Sequence, residues 1–159
     1  MGKMNIAQDI HIVPLTNSAN KTSSDYVAPH INMKQYEKVE FIVMLTAVGT
    51  AGYTMYATQS AVTAGSTSTA IAARYRLTAA AGTDTLGATT ALTTSGLAVA
   101  TGYADMALIV DIDSQDMTTE SKPYAGLTFD HSGSGDITVG IVALCWPKYP
   151  KETNANALT

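Results

Sequence analysis

Glu37 to Ala47 reads EKVEFIVMLTA, and this run alternates with the period of two that an extended chain presents. Val39, Phe41, Val43 and Leu45 project to one side. Glu40, Ile42, Met44 and Thr46 project to the other, and change from charged to apolar along the run. A strand of this kind suits a sheet that packs on a partner sheet and is partly covered outside. Gly49 to Gly52 supplies a glycine-bounded turn, and Tyr53-Thr-Met-Tyr-Ala-Thr-Gln-Ser60 resumes the extended pattern. Glycine reaches backbone angles that other residues avoid, so a hairpin is predicted here.

Beyond the hairpin the chain repeats this theme. Ala61 to Thr69 is a small, polar connection. Ile71, Ala73, Tyr75 and Leu77 alternate with Ala72, Arg74, Arg76 and Thr78, which predicts a strand with two arginines on its outer face. A turn over 79–85 leads to two weak strands, Leu86–Leu92 and Gly96–Ala100. Ala107-Leu-Ile-Val-Asp-Ile-Asp113 is apolar enough on both faces to be central. Ser114–Lys122 is polar, with room for one helical turn. Tyr124–Phe129 is a strand with Pro123 at its start, where strand prolines sit. The loop Asp130–Asp136 joins it to a last strand, Ile137–Trp146, which Pro147 stops.

Towards the N-terminus, Tyr26 lies in a brief extended piece, Asp25–Pro29. Ile10-His-Ile-Val13 is a short alternation ended by Pro14, and Thr16–Ser24 has no apolar period. Residues 1–23 therefore read as an arm, which either crosses a neighbouring subunit or completes the chain's own sheet. Residues 24–147 form the body, and residues 148–159 a polar, loosely ordered tail. About eight strands, frequent turn signals and no βαβ rhythm predict an all-β chain. The expectation is a β-sandwich, a jelly roll, with an up-and-down barrel second.

At 159 residues one domain is expected, large enough to bury a core without staples. Charged residues make up 14 %, well under the ~25 % usual for soluble domains. Threonine, serine, asparagine and alanine must then make much of the surface, which suits a protein docked in an assembly. The net charge of -4 and the lack of a basic cluster argue against nucleic-acid binding. Cys145 is the one cysteine, so no internal disulfide can form; its apolar strand predicts a buried, inert thiol. The start, MGKMNIAQDI, has no apolar signal core, and Ile6 stands where a myristoylation motif wants serine or threonine. No window approaches the ~20 apolar residues of a membrane span.

Tests for chemistry return little. Asp111, Asp113 and Asp116 imitate a calcium loop but lack the glycine and glutamate that an EF-hand needs, so carboxylates capping a turn are expected instead. A surface calcium site shared with Glu120 stays open. His11, His30 and His131 are far apart and read as loop or surface residues. Gly133-Ser-Gly135 is a turn rather than a phosphate cradle, since no helix follows it. No catalytic residue, metal ligand or cofactor is nominated. The eight tyrosines are abundant beside one tryptophan and two phenylalanines. Tyrosine's apolar ring and polar tip suit contact surfaces, although most are expected to be half-buried strand residues.

The order of segments resembles a family of small proteins encoded among the head genes of tailed bacteriophages. The resemblance lies in Tyr36-Glu-Lys-Val-Glu-Phe-Ile-Val with Ala47-Val-Gly-Thr, and in Thr69-Ala-Ile-Ala-Ala-Arg-Tyr-Arg with Asp84-Thr-Leu-Gly. It continues through Leu108-Ile-Val-Asp-Ile-Asp, Lys122-Pro-Tyr and the closing Trp146-Pro-Lys-Tyr149. That family resembles capsid decoration (cement) proteins with a jelly-roll body, which clip onto the outer shell and often trimerise. The long N-terminal piece departs from it. The resemblance implies a non-enzymatic virion protein on the outer capsid surface, made in the host cytoplasm, with the major capsid protein and its own copies as partners. Such proteins work by burying area, where a few aromatic or arginine anchors dominate. The anchors expected are Ile10, Ile12, Tyr53, Met55, Tyr56, Arg74 and Arg76. A carbohydrate- or receptor-binding module on the virion surface is the alternative, and a jelly-roll hydrolase the third reading.

Overall fold

The computed structural model describes residues 9–49, 52–133, 135–149 and 157–158, and it is built from strands. In chain order they are β1 (His11–Thr22), β2 (Tyr26–Val27), β3 (Ile31–Asn32), β4 (Tyr36–Val48), β5 (Tyr53–Ser60), β6 (Thr69–Ala70), β7 (Ala73–Leu77), β8 (Thr90–Leu92), β9 (Leu97–Val99), β10 (Met106–Asp113), β11 (Tyr124–His131) and β12 (Asp136–Pro147). Two short 3-10 turns, Thr101–Tyr103 and Ser114–Asp116, flank β10.

The strands form two antiparallel sheets packed face to face, a β-sandwich. Sheet A runs β1-β12-β4-β10-β7-β8. Sheet B runs β2-β11-β5-β6, with β3 also on β11 and β9 also on β5. The pairing is nested: β1 meets β12, β2 and β3 meet β11, β4 meets β10, and β5 meets β6.

The core is the inward half of each alternation. Val39, Phe41, Val43 and Leu45 of β4 are fully buried, as are Leu108, Val110 and Ile112 of β10. Ile137, Val139, Ile141, Ala143 and Cys145 of β12 continue that layer. Met55 and Ala57 of β5 with Ala125, Leu127 and Phe129 of β11 close it from sheet B. β4 and β10 lie inside sheet A, where long apolar runs lose least by having strands on both sides.

Several expectations are corrected. Strands are more numerous than about eight, because segments of two or three residues pair too briefly to leave a periodic trace. Of the two placements open to the arm, residues 11–22 take the second: they pair with β12 of the same chain as the edge of sheet A. Met1–Gln8 lie outside the described residues, as do Thr50 and Ala51 of the first turn and Ser134 of the last. The tail returns to the body: Ala157 is buried, and its carbonyl accepts the Asn32 N–H at 2.8 Å. Residues 150–156 and 159 lie outside the described residues. The weak strand over 86–92 shrinks to Thr90–Leu92, with a single bridge between Leu86 and Thr78.

Candidate interaction surface

The outward positions of sheet A line up in cross-strand rows, because antiparallel register places paired residues side by side on one face. One row runs Pro14, Val142, Ile42, Ile109, Arg76. The next runs Ile12, Leu144, Glu40, Asp111, Arg74. A third sets Met44 between Gly140 and Ala107. The small neighbours leave Met44 standing proud, 48 % exposed, and Ile12 at the sheet edge is 47 % exposed. Val142, Leu144, Ile42 and Ile109 are half-buried. The result is an aliphatic patch over β1, β12, β4 and β10, which solvent meets on the described chain.

A charge network borders the patch. Lys38 Nζ lies 2.6 Å from Glu40 Oε1 and 3.0 Å from Asp111 Oδ1, and 5.3 Å from the centroid of the Trp146 ring. Burial pulls the Lys38 ammonium down, but the two carboxylates outweigh it and hold it above its ordinary value. Arg74 pairs with Asp113. Arg76 Nε donates to Thr89 Oγ1 at 2.8 Å, and the side chain stays exposed at the end of the aliphatic row. Asp113 and Asp116 cap the short 3-10 turn reciprocally, the Asp113 N–H donating to Asp116 Oδ2 at 2.9 Å. The acidic run is therefore occupied by cations and a cap.

The structure assembles three of the expected anchors, Ile12, Arg74 and Arg76, on this one face. Tyr56 is half-exposed on the outer face of sheet B. Ile10, Tyr53 and Met55 are corrected: all three are buried, Met55 completely. The period of two that turns Ala57 inward turns Tyr53 and Met55 inward as well. Tyr53 spends its hydroxyl on the carbonyls of Lys21 and Ser24, at 3.0 and 3.1 Å.

Elsewhere the polar groups serve the scaffold. Gln59, buried, donates to the hydroxyls of Thr118 and Thr119 and accepts from both their N–H groups, fixing the approach to β11. Tyr36 is buried with its hydroxyl 2.6 Å from His11 Nδ1, and burial pushes it up to about 12. Cys145 is buried, and desolvation pushes its thiol up to about 12, where almost no thiolate forms. His30 corrects the surface reading of the histidines, being fully buried. An open pocket of about 510 Å3 is lined by Met33, Lys34, Met117, Glu120 and Lys148 among others. Among the described residues no three His, Cys, Asp or Glu gather as metal ligands, and no helix is long and apolar enough to cross a membrane.

The pattern of outward residues on β4 was open to sequence reading, since Ile42 and Met44 share the parity of Glu40. Their partners Val142 and Leu144 needed the register. Compared with known protein families and with curated proteins, the chain matches none.

Proposed function

We propose that this chain is a non-enzymatic structural protein of a virion, which decorates and stabilises an icosahedral phage capsid by bridging major capsid protein subunits. The observation that carries the reading is the aliphatic outer face of sheet A. Two of the large aliphatic side chains there, Ile12 and Met44, are about half exposed, and the charges beside them are held in pairs. The strands of sheet A run 12, 12, 13, 8, 5 and 3 residues, and at ~3.3 Å per residue and ~4.8 Å between strands they give a face of roughly 800 Å2. A standard contact takes ~800 Å2 from each partner, so this face is large enough to be one. Low surface charge and the segment order of head-gene proteins support the same reading. The nested strand pairing suits the jelly-roll body that this reading expects, a body used by shell proteins. A homotrimer on the outer capsid surface completes the proposal, closed oligomers being the usual state of such pieces.

Mixing the purified chain with empty shells that lack it tests this. Saturable co-sedimentation at a fixed ratio, with a higher shell melting temperature, is expected. Failure to bind, or turnover of a substrate by the free chain, would overturn it.

A further inference from the structure

The outer face of sheet B holds a buried polar cluster that docking by sheet A does not use. His30 follows Ala28 and Pro29 and lies over β11 and β5. A Cβ added to Gly126 of β11 would stand 2.5 Å from the imidazole on one side, and one added to Gly65 would stand 2.5 Å from it on the other. The ring is thus clasped between a strand and the segment 61–68, with two glycines making the room. Gly65 takes φ +68, which favours glycine a second time. The backbone of His30 also holds that segment, its N–H donating to the Thr63 carbonyl at 2.7 Å.

The tautomer follows from the partners. The Ala28 carbonyl, 2.8 Å from Nδ1, can only accept, so Nδ1 carries the proton. Nε2 then accepts from the Thr58 hydroxyl at 2.9 Å. A second proton on Nε2 would turn that hydroxyl toward the Gly126 carbonyl, 3.2 Å away, or Thr128 Oγ1, 3.3 Å away. Hydrogen bonding survives, but a charge has been buried without a carboxylate. The preceding segment offers Ala28 O, β5 offers Thr58, β11 offers Gly126 and Thr128, and segment 61–68 offers Gly65 and Thr63. The titratable side chains sharing this outer face, Tyr56, Tyr124 and Asp130, include one carboxylate. Asp130 sits four residues along β11 from Gly126, roughly 13 Å away.

We infer that His30 is a proton-operated latch: neutral, it clamps residues 61–68 against sheet B, and protonated in mild acid it releases them. Burial lowers the ring's affinity for a proton more than the Ala28 bond raises it. The open form, with a solvated ring near ~6.5, therefore binds more protons than the closed form. As the pH falls below ~6.5 the open-to-closed ratio rises, by up to about tenfold per pH unit, until the closed form's own lower value is passed.

Amide hydrogen exchange of the full chain, corrected for intrinsic rates, tests this between pH 7.5 and 5.0, beside His30→Gln and an NMR titration of the His30 ring. Protection of residues 61–68 should fall in step with the ring's titration, while β4 and β12 keep theirs. His30→Gln, which cannot take the proton, should show no such fall. Unchanged protection in the wild type, loss shared equally by β4 and β12, or the same loss in His30→Gln would each overturn the latch. Should His30→Gln fail to fold, a wild-type ring that titrates without loop opening overturns it alone.

Discussion

Glu40 and Asp111 stand directly opposite each other on β4 and β10, two carboxylates on adjacent strands with the ammonium of Lys38 bonded to both. Like charges in this position destabilise a sheet, and the lysine converts the repulsion into a bridge. Asp111 Oδ1 has no aligned hydrogen bond of its own, so the ion pair at 3.0 Å is what answers its charge.

Lys38→Met keeps the aliphatic stem against Trp146 and removes the bridge. The expected loss is about 1 kcal/mol in urea titration at pH 7 and low salt, shrinking in 1 M salt, where repulsion between the remaining carboxylates is screened. An equal loss at both salt concentrations would assign the effect to packing instead.

Met44→Asp and Ile12→Asp place a charge in the aliphatic patch at its two most exposed points. Folding stability should stay within about 0.5 kcal/mol, since neither side chain fills the core. Affinity for shells should drop tenfold or more in co-sedimentation. Unchanged affinity in both would remove this face from the docking account.

Cys145 should resist thiol reagents at pH 8 in the folded protein and react at once in denaturant. Its thiol is pushed up to about 12 by burial, so the thiolate fraction at that pH is negligible. Cys145→Ser should cost about 1–3 kcal/mol, because it puts a more polar hydroxyl into a fully buried, apolar site. Rapid labelling of the native chain would contradict the burial.

Gly126→Ala sets a methyl against the clasped imidazole, and the ring cannot yield with Gly65 behind it. A loss of about 1–3 kcal/mol is expected, the usual cost of overfilling a packed site. Gly102→Ala is the control, having nothing within 4 Å of an added Cβ, and should leave stability unchanged. Similar denaturation midpoints for the two variants would refute the clasp.

How far the sequence carries depends on the length over which alternation persists. β4 and β12, twelve or thirteen residues each, can be read from their parity, and so can the outward arginines of β7. β1 hides itself because Pro14 and register shifts between Pro14 and Thr16 and between Thr16 and Ala19 break the period. Residue type points to Tyr53 and Met55 as contact residues, whereas the parity they share with Ala57 turns them inward. His30 was out of reach: the glycines that make room for it lie on a distant loop and a distant strand. The aliphatic patch divides the same way, with Ile42 and Met44 visible in one strand and Ile12, Val142 and Ile109 joined to them only by register.

A density map of the decorated shell examines the docking face most directly. The account predicts Ile12, Ile42, Met44 and Val142 in van der Waals contact with coat subunits, sheet A lying against the shell. A map in which that face looks into solvent while another surface makes the contact would contradict it.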